Sequence, residues 1–190
     1  MEKSGFKLSP VLESALATDA DEEDFKNTVL HLPPKEMAEA ISTYKGIHAS
    51  ERMKDALVVS GDQVAATDCG QVFNKAKSLD DAREQLIQLN GKTLYFYSAT
   101  TICQGGEVLW QGLEVASATH GEHPISEIDA YLADMGSDAV GLPGATPLED
   151  ARVKRLIVDV SGSEYAFKGV AVEGVKHCLE GRGLSCLFSD

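Results

Sequence analysis

The sequence predicts an α/β fold, because strand-like and helix-like segments alternate along its 190 residues. Residues 56–59 form an apolar run, which is typical of a strand buried on both faces. Gly61 then predicts a sharp turn that leaves Asp62 at the end of this strand. Ligands of open α/β sheets collect at such ends, where a carboxylate can hold Mg²⁺ beside a phosphate. The alternative interpretation is an ordinary Gly-Asp turn.

The first third of the chain contains one clear helix signal. Residues 8–17 predict an extended segment, and a cluster of acidic residues follows within 19–24. Pro33 and Pro34 predict the start of a helix, because proline is tolerated in the first turn. Apolar residues then recur at three- and four-residue steps and predict one buried face. That face comprises Met37, Ala38, Ile41, Tyr44 and His48.

The later elements are predicted from caps, turns and periodicity. Short strands at 64–66 and 72–73 flank a turn, and Ser78 caps a helix that stops at Asn90 and Gly91. Two long strands are joined around Gly105 and Gly106. These strands are predicted at 94–103 and 108–119, and a helix capped by Ser126 is predicted at 126–135. A loop at 137–150, a strand at 156–160 and a final helix at 172–179 follow.

Composition excludes several classes of protein. The net charge of -13 argues against binding of a nucleic acid polymer, which needs basic surfaces. The four cysteines form no C-x-x-C pair, so a reducing cytoplasm is expected. No apolar run is long enough to span a membrane, and the polar first residues are not a secretory signal. His120 and His123 are three residues apart, but Pro124 and the preceding strand pattern argue against a metal site.

Four short motifs carry a resemblance to a known family. The chain has S-G-D-Q at 60–63, F-N-K-A at 73–76, A-R-E-Q-L at 82–86 and N-G-K-T at 90–93. In this order and spacing they resemble G-A-D-T or G-S-D-Q, L-G-K-P, A-R-x-x-L and S-G of the Maf family of nucleoside triphosphate pyrophosphatases. The resemblance covers most of the chain, from the acidic cluster to the last helix.

The resemblance implies a fold and an activity. The expected fold is a twisted mixed sheet flanked by helices, with two lobes and a cleft between them, in a single domain over 1–190. The expected reaction is hydrolysis of a nucleoside triphosphate to the monophosphate and pyrophosphate, with Mg²⁺ or Mn²⁺ as the divalent metal. The expected partner is a small-molecule nucleotide, and the family analogy suggests a homodimer.

Three residues are the expected catalytic and metal-binding groups by resemblance. Asp62 matches the aspartate that helps to bind metal and activate water, and Glu22 matches an acidic metal partner. Lys75 matches the lysine of L-G-K-P, which contacts phosphate. The bland alternatives are that Glu22 is a solvated charge of an acidic loop and that Lys75, near Lys77, is a surface lysine.

Three further residues are expected to bind substrate. Lys45 lies where the family has a lysine on its second helix, although it is also consistent with an exposed helix lysine. Gln63, in place of threonine, is similar to the branch that prefers 7-methyl-GTP. Tyr165 lies one position away from the tyrosine of the family motif G-x-Y-x-N-V-V-G-L-P.

Three departures from the family pattern leave two functional hypotheses open. The first strand and its S-x-S-P-R-R loop are expected to be missing, a glutamine is absent from 140–145, and an asparagine and a Leu-Pro pair are absent from 162–170. The leading hypothesis is a Maf-like pyrophosphatase. The alternative is a catalytically impaired relative that binds nucleotide or is purely structural.

Overall fold

Alternating strands and helices build the protein, as a computed structural model describes it over residues 19–181. The strands are β1 (Val58–Thr67), β2 (Val72–Phe73), β3 (Thr93–Gln104), β4 (Glu107–His120) and β5 (Ile157–Ser161). The helices are α1 (Asp19–Val29), α2 (Pro34–Arg52), α3 (Leu79–Leu89), α4 (Ile125–Met135), α5 (Glu164–Phe167) and α6 (Val172–Gly181). Short 3-10 helices occupy Gly136–Ala139 and Ala151–Arg155.

The predicted α/β class is confirmed. The five strands form one open sheet in the order β2-β1-β3-β4-β5. The sheet is antiparallel, whereas mixed strand directions were expected. Short turns join β1 to β2 and β3 to β4, and helices lie between the other consecutive strands. One such turn, at Gly105 and Gly106, connects β3 to β4, and both glycines have positive φ. Residues 19–181 contain no helix with the length and apolar composition that crossing a membrane requires.

The chain divides into two compact units. The described part of the first unit comprises 19–63, 98–114 and 164–181, and the second unit comprises 64–97 and 115–163. The expectation of a single domain over 1–190 stays a prediction. The extended segment predicted at 8–17 lies outside the described residues.

Each unit has its own apolar core. In the first unit, Ile102 of β3 packs with Val172, Val175 and Leu179 of α6. In the second unit, α3 and α4 bury their apolar faces together with the chain that follows α4. The hydroxyl of Tyr131 is buried there and donates to the carbonyl oxygen of Ala145 at 3.0 Å.

The predicted helix α3 is confirmed in detail. Ser78 is its N-cap, and its side chain accepts a hydrogen bond from the backbone N–H of Asp81 at 3.1 Å. Asn90 follows the last helical residue, and Gly91 has a φ of 71°. The local cap and stop signals in the sequence therefore predicted the bounds of this helix correctly.

One helix start was not predicted, and one was predicted with the wrong cap. The acidic residues at 19–24, which the alternative interpretation of Glu22 placed in a loop, form the first turns of α1. Acidic side chains suit a helix N-terminus, because negative charge interacts favourably with the helix dipole there. Helix α4 begins at Ile125 after Pro124, without a side-chain cap, so Ser126 lies inside the helix and does not cap it.

The expected turn at Gly61 was also wrong. Strand β1 continues through Gly61 and Asp62 to Thr67, so Asp62 projects from within the strand and not from its end. A glycine is needed at 61 because a Cβ there would lie 2.8 Å from the carbonyl oxygen of Gly169. The close approach of another backbone, and not a turn, explains the residue.

Candidate functional site

Three charged side chains from three elements meet in the first unit. Lys45 of α2 lies between two carboxylates: its Nζ is 2.7 Å from Oδ1 of Asp62 on β1 and 2.9 Å from Oε1 of Glu22 on α1. Lys26, one helical turn after Glu22, places its own Nζ 2.6 Å from the same Oε1 atom. The structure therefore brings together three of the predicted site residues, Glu22, Lys45 and Asp62.

The three side chains are largely removed from solvent. The exposed fractions are 11% for Asp62, 18% for Lys45 and 20% for Glu22. Charged groups are rarely buried to this extent unless they are paired. The alternative interpretations of Glu22 as a solvated charge and Lys45 as an exposed lysine therefore do not fit these positions.

The pKa values of the three groups are shifted by burial and by their neighbours. Burial raises the pKa of Asp62, and the ammonium of Lys45 offsets only part of this effect. Burial disfavours the charged form of Lys45, but the carboxylates of Asp62 and Glu22 outweigh it and raise the pKa of Lys45. Burial also disfavours the carboxylate of Glu22, yet hydrogen bonds from Lys26 and Lys45 leave its pKa below the usual value. Burial thus makes the carboxylate of Asp62 a better proton acceptor than that of an exposed aspartate.

Hydroxyl groups fix α2 against β1 and β3. The hydroxyl of Ser60 donates to the carbonyl oxygen of Ser42 at 2.8 Å, and the hydroxyl of Ser42 lies 2.9 Å from that of Thr101. Gly46 allows the helix to approach closely, because a Cβ there would lie 2.6 Å from Oγ of Ser60. Lys45 is next to Gly46 in the chain, so this packing fixes the helix backbone from which its side chain reaches Asp62.

An aromatic pair fixes α1 against α2. The rings of Phe25 and Tyr44 stack with centroids 4.1 Å apart and an interplanar angle of 10°. The hydroxyl of Tyr44 donates to the carbonyl oxygen of Asp21 at 3.4 Å. Both contacts flank Glu22 on one helix and Lys45 on the other. They explain why Glu22 lies within reach of Lys45 although the two belong to different helices.

The donor set of Glu22 and Asp62 fits a hard divalent cation. Both side chains offer carboxylate oxygens, and these oxygens converge on one position, where they contact the Nζ atom of Lys45. Within the described residues, no group of three or more His, Cys, Asp or Glu side chains is arranged to hold an ion. Mg²⁺ commonly binds through one or two carboxylates together with waters and substrate phosphates, so a pair suffices.

Gln63 and Tyr165 do not join this cluster. The Nε2 atom of Gln63 donates to Oγ of Ser98 at 2.9 Å and to the carbonyl oxygens of Ala166 at 2.8 Å and Phe167 at 3.2 Å. Gln63 therefore anchors α5 to β1. Tyr165 is half-buried and packs against the apolar core of the first unit. Their predicted contacts with substrate stay predictions.

Lys75 belongs to the second unit. Its side chain is exposed, and its backbone pairs with Pro143 in an isolated antiparallel bridge. The neighbouring Ala76 donates its N–H to the carbonyl oxygen of Leu142 at 3.1 Å, so two backbone contacts fix this segment. The predicted contact of Lys75 with phosphate stays a prediction.

Sequence reasoning missed Lys26 and the hydroxyl network between α2 and β1. Lys26 follows Glu22 by four residues, which is the spacing of an ion pair on one helix face. That signal was available only if the acidic segment was interpreted as a helix. No local signal identifies Ser42 or Ser60 as partners, because their contacts join positions 18 residues apart.

Comparison with known proteins finds relatives that are named as nucleotide pyrophosphatases. A 7-methyl-GTP pyrophosphatase of Bartonella henselae is 31% identical over 152 residues, which span 79% of this chain and 75% of that protein. A nucleoside triphosphate pyrophosphatase of Caulobacter vibrioides is 28% identical over 181 residues, spanning 93% of this chain and 88% of the relative. A nucleoside triphosphate pyrophosphatase 1 of Jannaschia sp. is 28% identical over 151 residues, with 80% and 75% covered.

The resemblance of the four motifs agrees with a comparison of the whole chain with models of protein families. The family model described as Maf-like protein matches residues 6–182 of this chain. The match includes Glu22, Lys45 and Asp62 as well as Lys75 in the second unit. The chain belongs to the family of Maf-like proteins.

Proposed function

We propose that this protein hydrolyses a nucleoside triphosphate to the monophosphate and pyrophosphate with the aid of a divalent cation. The observation that carries the proposal is the convergence of Glu22, Lys45 and Asp62 from α1, α2 and β1. Membership of the Maf-like family supports it, since the relatives quoted above are named as pyrophosphatases.

The chemistry requires a proton acceptor and groups that stabilise negative charge. Water attacks a phosphoryl group, the anhydride bond between the α and β phosphates breaks, and pyrophosphate leaves. The Asp62 carboxylate accepts the proton of the attacking water, a role favoured by the burial that raises its pKa. Lys45 donates to phosphate oxygens, where negative charge develops in the transition state.

Glu22 and Asp62 are the residues that would hold the divalent cation. When bound, such an ion neutralises phosphate charge and lowers the pKa of a coordinated water. We propose Mg²⁺ or Mn²⁺, because both prefer the oxygen ligands that a carboxylate pair offers. Lys75, with its exposed ammonium, is proposed to bind phosphate as well.

The proposed substrate is a purine nucleotide of the 7-methyl-GTP type. The support is the Bartonella henselae relative, which is named for that substrate, together with Gln63 in the S-G-D-Q motif. Tyr165 is proposed to contribute to the wall of the substrate site through its position in α5. We propose that the protein works in the cytoplasm as a homodimer, a state that sedimentation would test.

The experiment that tests the function is a panel of triphosphates incubated with the purified protein and Mg²⁺ or Mn²⁺. The products are separated by ion-exchange chromatography. We expect equal amounts of monophosphate and pyrophosphate, with 7-methyl-GTP ahead of GTP, dTTP and UTP. Release of inorganic phosphate with a diphosphate would contradict the proposed reaction. Tight, metal-dependent binding without any product would instead identify an impaired relative.

A further inference from the structure

The ammonium group of Lys45 occupies the position that a divalent cation needs. Its Nζ atom contacts Oδ1 of Asp62 at 2.7 Å and Oε1 of Glu22 at 2.9 Å, the two carboxylates assigned to the ion. One position cannot hold an ammonium and a metal ion together. Even a displaced ammonium remains a positive charge a few ångströms from the ion, where the repulsion is strong in a partly buried site.

We propose that Lys45 competes with the divalent cation for Glu22 and Asp62, so that the cation binds tightly only when a polyphosphate draws Lys45 away. The proposal rests on the proposed function, because it assigns regulation to the same site. Binding of cation and nucleotide is then cooperative: each ligand favours the arrangement of Lys45 that the other requires.

The chemistry of a lysine side chain suits this exchange. The ammonium has three hydrogen-bond donors on a flexible four-carbon stem, so it can move from carboxylate to phosphate without a change in the backbone. A triphosphate chain offers several charged acceptor oxygens as new partners. The backbone of Lys45 stays fixed by the neighbouring Gly46, which packs against Ser60.

Lys26 provides a graded comparison within the same cluster. Its Nζ lies 2.6 Å from Oε1 of Glu22, and of the two carboxylates it forms an ion pair only with Glu22. Its side chain is also more exposed than that of Lys45, at 36% against 18%. Removal of the Lys26 charge should therefore affect cation binding less than removal of the Lys45 charge.

The test is Mn²⁺ binding to the nucleotide-free protein, measured by electron paramagnetic resonance. We expect Lys45→Gln to bind Mn²⁺ at least about tenfold more tightly than wild type, because a nearby positive charge is lost. Lys26→Gln should show a smaller gain of about two- to threefold. Lys45→Arg retains the charge and should stay close to wild type, as should Lys35→Gln, which removes an exposed lysine from the same helix.

A second measurement uses the wild-type protein and does not depend on the stability of a variant. Lysines are acetylated with a limiting reagent, with and without saturating Mn²⁺, and quantified by mass spectrometry. Displacement by the ion should increase the labelling of Lys45 and leave that of Lys35 unchanged. Bound Mn²⁺ with unchanged labelling of Lys45 overturns the inference.

The outcomes separate this inference from the proposed function. If wild type releases pyrophosphate but Lys45→Gln binds Mn²⁺ no more tightly, the competition is refuted and the function stands. If neither wild type nor Lys45→Gln binds Mn²⁺, both the competition and the metal site are refuted. Tighter binding by Lys45→Gln but not by Lys45→Arg supports competition by charge.

Discussion

Each of the two units of the protein contains a basic side chain between two carboxylates, but the surroundings differ. In the first unit Lys45 lies between Glu22 and Asp62, with all three side chains at most 20% exposed. In the second unit Nη2 of Arg152 lies 2.6 Å from Asp150 and 2.8 Å from Asp138. There the exposed fractions are 28% for Asp150, 32% for Arg152 and 60% for Asp138.

Burial reverses the direction in which the pKa of a carboxylate shifts, as Asp150 and Asp62 show. Hydrogen bonds from Arg152 lower the pKa of Asp150 to about 2, so the charged form of Asp150 is favoured in this less buried pair. Burial raises the pKa of Asp62 although Lys45 lies just as close. Similar contacts thus favour the charged form of Asp150 in one unit, whereas burial disfavours the charged form of Asp62 in the other. Contact distances alone do not distinguish a functional charge cluster from a structural one.

Substitution of Glu22 sharpens this contrast, with a large expected loss of activity. We expect Glu22→Gln to reduce pyrophosphate release roughly 100- to 1,000-fold, because it removes one of the two carboxylates proposed to hold the cation. The measurement is the rate of release at saturating triphosphate and Mg²⁺. Glu23→Gln is the matched control, since Glu23 is exposed and adjacent in sequence. Equal losses in the two variants would refute a specific role for Glu22.

The second prediction concerns a buried group without a partner. His120 in the second unit is 3% exposed, and in the described part of the chain neither ring nitrogen has a hydrogen-bond partner. Burial lowers the pKa of His120 to about 4, from an ordinary value of 6.5. Between these pH values the unfolded state binds the proton and the folded state does not. Stability is therefore complete above pH 6.5 and falls as the pH is lowered towards 4.

The expected loss over this range is on the order of 3 kcal/mol in the free energy of unfolding. His120→Leu should remove most of this slope, whereas His177→Gln, at an exposed position on α6, should retain it. Urea unfolding at several pH values between 4 and 7 measures the difference. A slope that survives in His120→Leu would show that other groups cause the acid sensitivity.

The third prediction concerns the backbone that carries Asp62. Gly61→Ala would place a Cβ 2.8 Å from the carbonyl oxygen of Gly169, and neither backbone can move freely. We expect a loss of about 2 kcal/mol in stability, together with reduced activity because Asp62 is displaced. Urea unfolding and the hydrolysis assay measure the two effects. Gly181→Ala, where a new Cβ meets no atom within 4 Å, is the control.

The smallest effect is expected in the less buried cluster, that of Arg152, Asp150 and Asp138. Arg152→Gln removes the ion pairs with Asp150 and Asp138, but solvent already screens these charges. We expect pyrophosphate release within about twofold of wild type and only a small change in melting temperature. A loss of activity comparable to that of Glu22→Gln would remove the distinction between the two clusters.

Local signals in the sequence were sufficient for several elements. The cap at Ser78 and the stop at Asn90 predicted α3, and the glycines at 105 and 106 predicted the turn between β3 and β4. These signals depend on residues that lie within a few positions of each other. The S-G-D-Q motif that associated Asp62 with a strand is also a local signal. It did not predict that the strand continues beyond Asp62 to Thr67.

The remaining features depend on contacts between distant segments. Gly61 meets Gly169, and Gln63 donates to Ala166 and Phe167, more than 100 residues further along the chain. Charges at 22, 45 and 62 were matched to family roles, but the position of Lys45 between the two carboxylates follows from the packing of α1, α2 and β1. No local pattern in the sequence encodes the contact of Lys45 with Asp62, because the two residues are 17 positions apart.

The most direct test of the central claim is the rate of pyrophosphate release from 7-methyl-GTP by Asp62→Asn, measured beside wild type and Asp150→Asn. Asparagine has nearly the same shape as aspartate but neither accepts the proton of water nor carries a negative charge. We predict loss of release by Asp62→Asn to the background level and nearly unchanged release by Asp150→Asn. Wild-type turnover in Asp62→Asn would contradict the assignment of the buried cluster as the catalytic site.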